Sequence, residues 1–265
     1  MTTIAAASVP KSSLSDAMLD TYLIARRGFT TLFRIPQLLV FSTIQPVIFV
    51  LMFRYVFGGA IHVPNGRYVD YLMPGIFAQV ISFGATATAV GLASDLNSGM
   101  LDRFQSLPMA RSAVLAGRTL ADAGRNVFVV ILMSTVGFLV GFRVHTNPFA
   151  FVGALILVLL FGFALSWIFA TVGLMVRDPE TAQAAAFPVM APLVFASSAF
   201  VPVSSMPGWL QVFARHQPLS VTVTAVRALV IGGPTAKPVL YALAWIATLL
   251  VVFAPIAVNR YRKIN

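Results

Sequence analysis

The stretch FAFVGALILVLLFGFALSWIFATVGLMV, residues 149–176, contains no Asp, Glu, Lys or Arg. A helix needs about 20 apolar residues to cross a hydrocarbon core ~30 Å thick, so this segment is long enough to cross by itself. Further apolar runs lie at 38–57, 72–93, 127–142, 182–201 and 239–258. Together they account for an apolar fraction of 58% and a mean hydropathy of +0.88. A chain of 265 residues cannot hide six such helices in one soluble core. The fold expected is an all-α polytopic membrane protein. It has a cytoplasmic N-terminal segment over 1–36 and a six-helix transmembrane domain over 37–265.

The net charge of +10 reads as orientation. With a cytoplasmic N-terminus, the inner segments hold Lys11, Arg26, Arg27, Arg34, Arg103, Arg111, Arg118, Arg125, Arg177, Arg260, Arg262 and Lys263. The outer segments hold only Arg54, Arg67, Arg143, Arg215, Arg227 and Lys237. The twofold bias places both termini in the cytoplasm, and an even number of spans agrees. No basic feature calls for nucleic acid. The first residues show no short apolar run with a small-residue cleavage site, so the first span is expected to act as an uncleaved insertion signal.

Three features lie outside the spans. Leu14, Met18, Tyr22, Ala25, Phe29 and Phe33 recur at helical spacing beside basic residues, the pattern of an interfacial amphipathic helix. Between spans two and three, Leu96, Met100, Phe104 and Leu107 form an apolar stripe on a charged segment that Pro108 ends. A second helical pattern then runs from Ser112 into span three. Between spans five and six, Pro207 and Pro218 each open a short apolar pattern, 207–214 and 218–230, and Gly232 and Gly233 close the second. Both are too short to span, so a re-entrant hairpin in the outer leaflet is expected. Inside the spans, Gln45 and Pro46 mark a kink in the first. Pro188 and Pro192 interrupt the hydrogen-bond ladder of the fifth.

Much chemistry is excluded. There is no cysteine, hence no disulfide and no thiolate metal site. Neither Lys11, Lys237 nor Lys263 stands in a Gly-x-x-x-x-Gly-Lys-Ser/Thr frame, so this chain has no P-loop for ATP. The eight carboxylates fall in loops or at helix ends, which leaves no mid-membrane proton relay. His62, His145 and His216 lack metal-ligand spacing. A chain without its own energy source, but with an inner-face helix and a patterned cytoplasmic loop, suits a subunit driven by a partner.

Several segments then carry a resemblance, in order along nearly the whole chain. They are Gln45-Pro46-Val47 with Phe53-Arg54-Tyr55-Val56-Phe57-Gly58-Gly59, Tyr71-Leu72-Met73-Pro74-Gly75, and Asp102-Arg103-Phe104-Gln105-Ser106-Leu107-Pro108-Met109 followed by Ala116-Gly117-Arg118. Val176-Arg177-Asp178-Pro179-Glu180, Phe200-Val201-Pro202 through Met206-Pro207-Gly208-Trp209-Leu210, and His216-Gln217-Pro218 complete the set. The chain resembles the membrane subunits of type-2 ABC exporters, most closely the daunorubicin/doxorubicin-resistance-type permeases of actinobacteria. The resemblance implies two permease units, alike or different, and two separate ATPase subunits that hold ATP and Mg. The substrates it implies are amphipathic drugs, lipids or glycolipids.

In that setting Asp95, Asp102, Arg103, Phe104, Leu107, Pro108 and Met109 are the candidate ATPase-coupling residues. Gln79, Ser82, Phe83 and Thr86 on span two, with Phe195, Ser197 and Ser198 on span five, are candidates for the substrate path, where rings and scattered hydroxyls suit a bulky, weakly polar ligand. Pro207, Trp209 and Pro218 are candidates for an outer gate. No catalytic, cofactor or metal residue is expected in this chain. A non-transporting membrane scaffold and an intramembrane enzyme remain alternatives at this point.

Overall fold

The computed structural model describes residues 36–59, 61, 63, 66–98, 111–176 and 178–263. The N-terminal amphipathic pattern and most of the cytoplasmic loop lie outside the described residues. Among the described residues the regular structure is entirely helical. In chain order the α-helices are α1 (Pro36–Leu51), α2 (Tyr68–Asn97), α3 (Arg111–Leu139), α4 (Pro148–Val176), α5 (Pro179–Phe195), α6 (Gly208–His216), α7 (Pro218–Ile231) and α8 (Ala236–Arg262). A π-helical turn, Met52–Val56, extends α1, and a short 3₁₀ turn, Val203–Ser205, precedes α6.

Among the described residues, four helices are long and apolar enough to cross a membrane: α2, α4, α8 and the Thr119–Leu139 part of α3. The centre of the molecule is the α2–α4 pair, which α3, α5, α7 and α8 surround. In α2, 67% of the most apolar stretch is buried inside the protein, against 17% in α8. The exposed residues of α8 include Leu240, Val251 and Ile256, an apolar face turned outward.

Small residues set the closeness of the central pair. A Cβ at Gly173 of α4 would strike the backbone of Ala89 in α2, and one at Gly162 would strike the Ile81 side chain. Glycine here allows the two backbones to approach, which is how apolar helices gain dispersion contact in the absence of a hydrophobic drive. Phe77, Ile81, Phe161, Leu165 and Phe169 fill the rest of the seam.

The helix ends follow local signals. Asp178 caps α5, accepting from the Thr181 N–H at 2.8 Å and from its hydroxyl at 2.6 Å, and Pro179 occupies the first turn. Those bonds, the hydroxyl's first, hold the Asp178 carboxylate below its ordinary range. Gln217 caps α7 by accepting from Leu219 N–H, again with proline in the first turn. Gly232, at φ 106°, ends α7 in a conformation closed to most side chains.

Two expectations change. The fifth apolar run, 182–201, is helical only to Phe195: the helix continues through both Pro188 and Pro192, and the chain then turns through 196–201. At 17 residues α5 extends only about 25 Å. In the first run the helix continues through Pro46, and the departure from α-geometry comes at the π turn, where Phe57 N–H reaches Met52 O.

Candidate functional site

Two polar constellations interrupt this apolar bundle. The first is a cavity of about 210 Å³ between α1, α2 and α3, lined by Gln45, Pro46, Phe49, Gln79, Val80, Phe83, Gly84, Ala87, Arg125, Asn126 and Val129. Of the proposed path residues, Gln79 and Phe83 face this cavity. Gln79 is 4% exposed and Asn126 2%. The Gln79 Oε1 and the Asn126 Nδ2 have no hydrogen-bond partner. The Arg125 guanidinium donates to Gly84 O at 2.6 Å and sits 3.6 Å from Asp122, whose other oxygen accepts from Thr88 at 2.6 Å. Its charge is therefore tied to the protein.

Ser82 and Thr86 point into their own helix: Ser82 donates to Ala78 O and Thr86 to Phe83 O. Such bonds satisfy hydroxyls locally in an apolar helix. Neither residue lines the cavity.

The second constellation is the turn 196–201 beyond α5. Its non-helical backbone is satisfied by side chains, as buried backbone polar groups away from water must be. Arg227 of α7 donates to the carbonyls of Ser198 (2.6 Å), Ala199 (2.9 Å) and Tyr71 (3.0 Å). Its guanidinium lies 3.5 Å over the Tyr71 ring. Tyr68 donates to Phe200 O and Tyr71 to Ser198 O. Ser198 N–H donates to the Ser220 hydroxyl, and Gln217 reaches back to Leu193 O at 2.9 Å. The Phe200 ring stacks on Phe53 at 4.6 Å, which joins the turn to the end of α1. Gly75 of α2 lies so close that a Cβ there would overlap the Ala199 carbonyl.

Ser197 and Ser198 are therefore buried in this turn, where the Ser197 hydroxyl donates to Val194 O and accepts from Ala199 N–H, while the Ser198 hydroxyl has no hydrogen-bond partner. Phe195 is 55% exposed, on the outer surface of the molecule. The path residues on α2 and those after α5 are not gathered into one cavity of this chain.

A neighbouring tie holds the other end of α7. Its last carbonyls, Leu229 and Val230, accept from the Thr146 hydroxyl and the His145 N–H. The same loop is fixed to α2 through buried Asp70, which accepts from Arg143 N–H at 2.8 Å and lies 3.1 Å from both Arg67 Nε and His145 Nε2. In the sequence, Arg227 counts as an outer-segment cation and Asp70 as one of the carboxylates in loops or at helix ends. Both are inside the packing, Asp70 buried and Arg227 partly so. A lone Arg in the middle of an apolar helix, at position 227 between Val226 and Ala228, was the signal that pointed to this.

The gate residues are surface features of the hairpin. Trp209 is 76% exposed on α6. Pro207 is exposed and caps α6, its carbonyl accepting from Leu210 and Gln211 N–H. Pro218 starts α7. Asp95 lies in the last turn of α2, while Asp102, Arg103, Phe104, Leu107, Pro108 and Met109 lie outside the described residues. Among the described residues no group of three or more acidic or histidine side chains could hold a metal ion.

Residues 20–231 match the ABC-2 type transporter membrane domain. The chain is a member of the ABC-2 type transporter family. The daunorubicin resistance ABC transporter permease DrrB1 of Streptomyces coeruleorubidus is 38% identical to this ABC-2 permease over 87% of its chain and 81% of the relative. The probable doxorubicin resistance permease DrrC of Mycobacterium tuberculosis is 30% identical over 84% and 80%. The putative transport permease ycf38 of Cyanophora paradoxa is 24% identical over 79% and 73%. The likeness thus takes in α1 through α7 of the ABC-2 permease, including both polar constellations.

Proposed function

We propose that this ABC-2 permease is the membrane subunit of an ATP-driven exporter that moves an amphipathic, drug-like or lipid molecule out of the cell. The observation that carries the reading is the 38% identity, over 87% of the chain, to a permease named for daunorubicin resistance. The chain has no P-loop lysine, so ATP and Mg belong to a partner ATPase, and a second permease unit, of the same or a different chain, completes the pair. Neither an enzyme nor a scaffold reading draws comparable support.

In this proposal the six spans are α1 with its π turn, α2, α3, α4, α5 with the turn that follows, and α8. Both termini are cytoplasmic, in the plasma membrane of a bacterium. α6 and α7 form the outer re-entrant hairpin; His145 and Thr146 bond the last carbonyls of α7, and Arg227 ties α7 to the turn 196–201 and to α2. Reporter fusions after Arg143 and Lys237 should read outside, and fusions after Arg177 and Asn265 inside. A C-terminal reporter active on the outer side contradicts the arrangement.

Coupling is assigned to residues 95–109. ATP-driven closure of the ATPase pair pushes this segment, and α2 and α3, which flank it, transmit the push to the bundle. The experiment that tests the proposed function is expression with an ATPase partner and the double reversal Asp102→Arg, Arg103→Asp. The variant is expected to insert and to keep basal ATP turnover, while daunorubicin-dependent turnover and export fall together at least tenfold. Loss of a desolvated interfacial charge pair costs about 2–5 kcal/mol, enough for that fall. Normal coupled export by the variant removes this segment from the mechanism, and no export by any form removes the exporter reading.

A further inference from the structure

The outer segments carry Arg54, Arg67, Arg143, Arg215, Arg227 and Lys237 but a single carboxylate, Asp70. Asp70 is already engaged by Arg67, His145 and the Arg143 N–H. Arg215, exposed at the end of α6, has no carboxylate within ion-pair distance among the described residues. One of its N–H groups donates to Gln211 Oε1 at 2.9 Å, and Gln211 Nε2 donates in turn to Met206 O at 2.9 Å. The protein thus holds the guanidinium in place and leaves most of its fork unused. Beside it, His216 Nδ1 donates to Val212 O at 2.8 Å, which leaves Nε2 without a protein partner. Basic residues in a last helical turn complement the helix dipole, but that role needs no recess next to them.

A recess is there. Arg215 and His216 form one wall of an open groove of about 600 Å³ between the α6–α7 corner and α8. The other wall is one face of α8, where Tyr241, Ala244, Trp245 and Thr248 follow at spacings of three and four. Tyrosine and tryptophan suit the depth at which headgroups meet hydrocarbon. The Thr248 hydroxyl donates to Ala244 O, so the floor between the rings makes no polar demand. Val251 and Val252, both exposed, continue this face one turn further along α8. From Tyr241 to Val252 the track is roughly 15 Å long, the scale of an acyl chain.

Charge, aromatic pair and apolar track thus follow in the order headgroup, interface, chain. A soluble anion has no use for the track. The excess of positive charge opposes a headgroup ammonium, so the headgroup that fits carries a net negative charge, and an arginine fork suits its phosphate.

We infer that the groove between Arg215 and the Tyr241–Thr248 face of α8 binds one anionic phospholipid, with its phosphate on Arg215 and an acyl chain along α8. The lipid is a resident of the permease and not its cargo. It joins α6 to α8, since α7 packs against α8 while α6 itself hardly meets it. The inference rests on the proposed membrane arrangement for the leaflet it names, and not on ATP-driven export.

The test uses the full-length permease in phosphatidylcholine nanodiscs containing a minor fraction of phosphatidylglycerol. Either lipid is brominated near the headgroup end of its acyl chains, and quenching of tryptophan fluorescence is read. The signal of Trp245 is isolated by subtracting the Trp245→Phe chain. Trp245 is expected to meet phosphatidylglycerol about fivefold more often than its mole fraction, the equivalent of about 1 kcal/mol. The double variant Arg215→Gln, His216→Gln should lose that preference. Ala244→Phe, which fills the groove and leaves both basic residues, should lose most of it. Equal quenching by the two lipids overturns the site, and so does a preference that survives the double variant. Full preference in Ala244→Phe would show a diffuse attraction to surface charge and no site. That variant decides if the double variant does not fold. No quenching of Trp245 by either lipid would show the groove covered by a second copy of the chain, and displacement by millimolar glycerol phosphate would show a site for soluble phosphate. Either result refutes the lipid. With the ATPase partner and ATP added, the preference should persist, and its loss during turnover would make the lipid a cargo and overturn its residence. Absence of export with the preference intact counts against the exporter and not against this site.

Discussion

Replacing Arg227 with alanine is expected to cost about 3–4 kcal/mol and to abolish export. A charged donor contributes about 1.5–3 kcal/mol to each hydrogen bond it makes in a protein, and Arg227 makes three with backbone carbonyls. Ser198 keeps the Tyr71 hydroxyl as a second donor, but the buried Ala199 carbonyl loses the donor that Arg227 supplied. The turn 196–201 keeps the Tyr68 and Tyr71 bonds to α2 and the Ser220 bond to α7, but loses the clamp that joins Ser198, Ala199 and Tyr71 through one side chain. Arg227→Lys should recover only part of the loss. A single ammonium cannot reproduce a planar fork that reaches carbonyls on two elements while lying over the Tyr71 ring. The measurement is thermal unfolding of the purified chain in detergent, paired with export. An unchanged midpoint for Arg227→Ala would show that the turn is held by other contacts.

Gly75→Ala attacks the same place from the opposite side and should be of similar size. The added methyl meets the Ala199 backbone, not a flexible side chain, so the encounter cannot be relieved by a rotamer change. Overpacking of this kind costs about 1–3 kcal/mol, and here it also pulls Tyr68 and Tyr71 away from the carbonyls of Phe200 and Ser198. Gly153, by contrast, has open space around it inside α4, and Gly153→Ala should not lower the midpoint and should raise it slightly through helix propensity. Equal midpoints for the two variants would contradict the close approach of α2 to the turn. Combined with Arg227→Ala, the Gly75→Ala change should be less than additive, since both substitutions detach the same turn.

These two residues also mark where the sequence could and could not be read. The hairpin was legible nearly to the residue. Pro207 and Pro218 start α6 and α7, and Gly232 stops α7, because proline and glycine act through their own backbone and need no distant partner. The long run 149–176 was legible because length and apolarity settle it alone. Arg227 was different. A basic residue within a short apolar helix either reaches for the interface or turns inward, and only the position of the Ser198 and Ala199 carbonyls decides. Those carbonyls come from a turn that the apolar run 182–201 concealed.

The candidate path shows the same division. Phe83 and Gln79 share a helical face and both line the cavity, while Ser82, one position away, turns into its own helix. Asn126 escaped notice because its importance comes from three helices meeting at Gly84 and Gly162. No spacing along one helix carries that information. The family, by contrast, was legible from many short segments in order, and residues 20–231 match it as a unit.

The central claim is that this permease exports a cargo at the expense of ATP hydrolysed elsewhere. It is tested most directly in proteoliposomes holding the purified permease and its ATPase partner, with daunorubicin outside and ATP supplied to the ATPase face. Daunorubicin is predicted to accumulate in the lumen with ATP and Mg present. Accumulation should cease when either subunit is left out or when a non-hydrolysable ATP analogue replaces ATP. Accumulation that is the same with and without ATP, or that persists without the permease, would contradict the account.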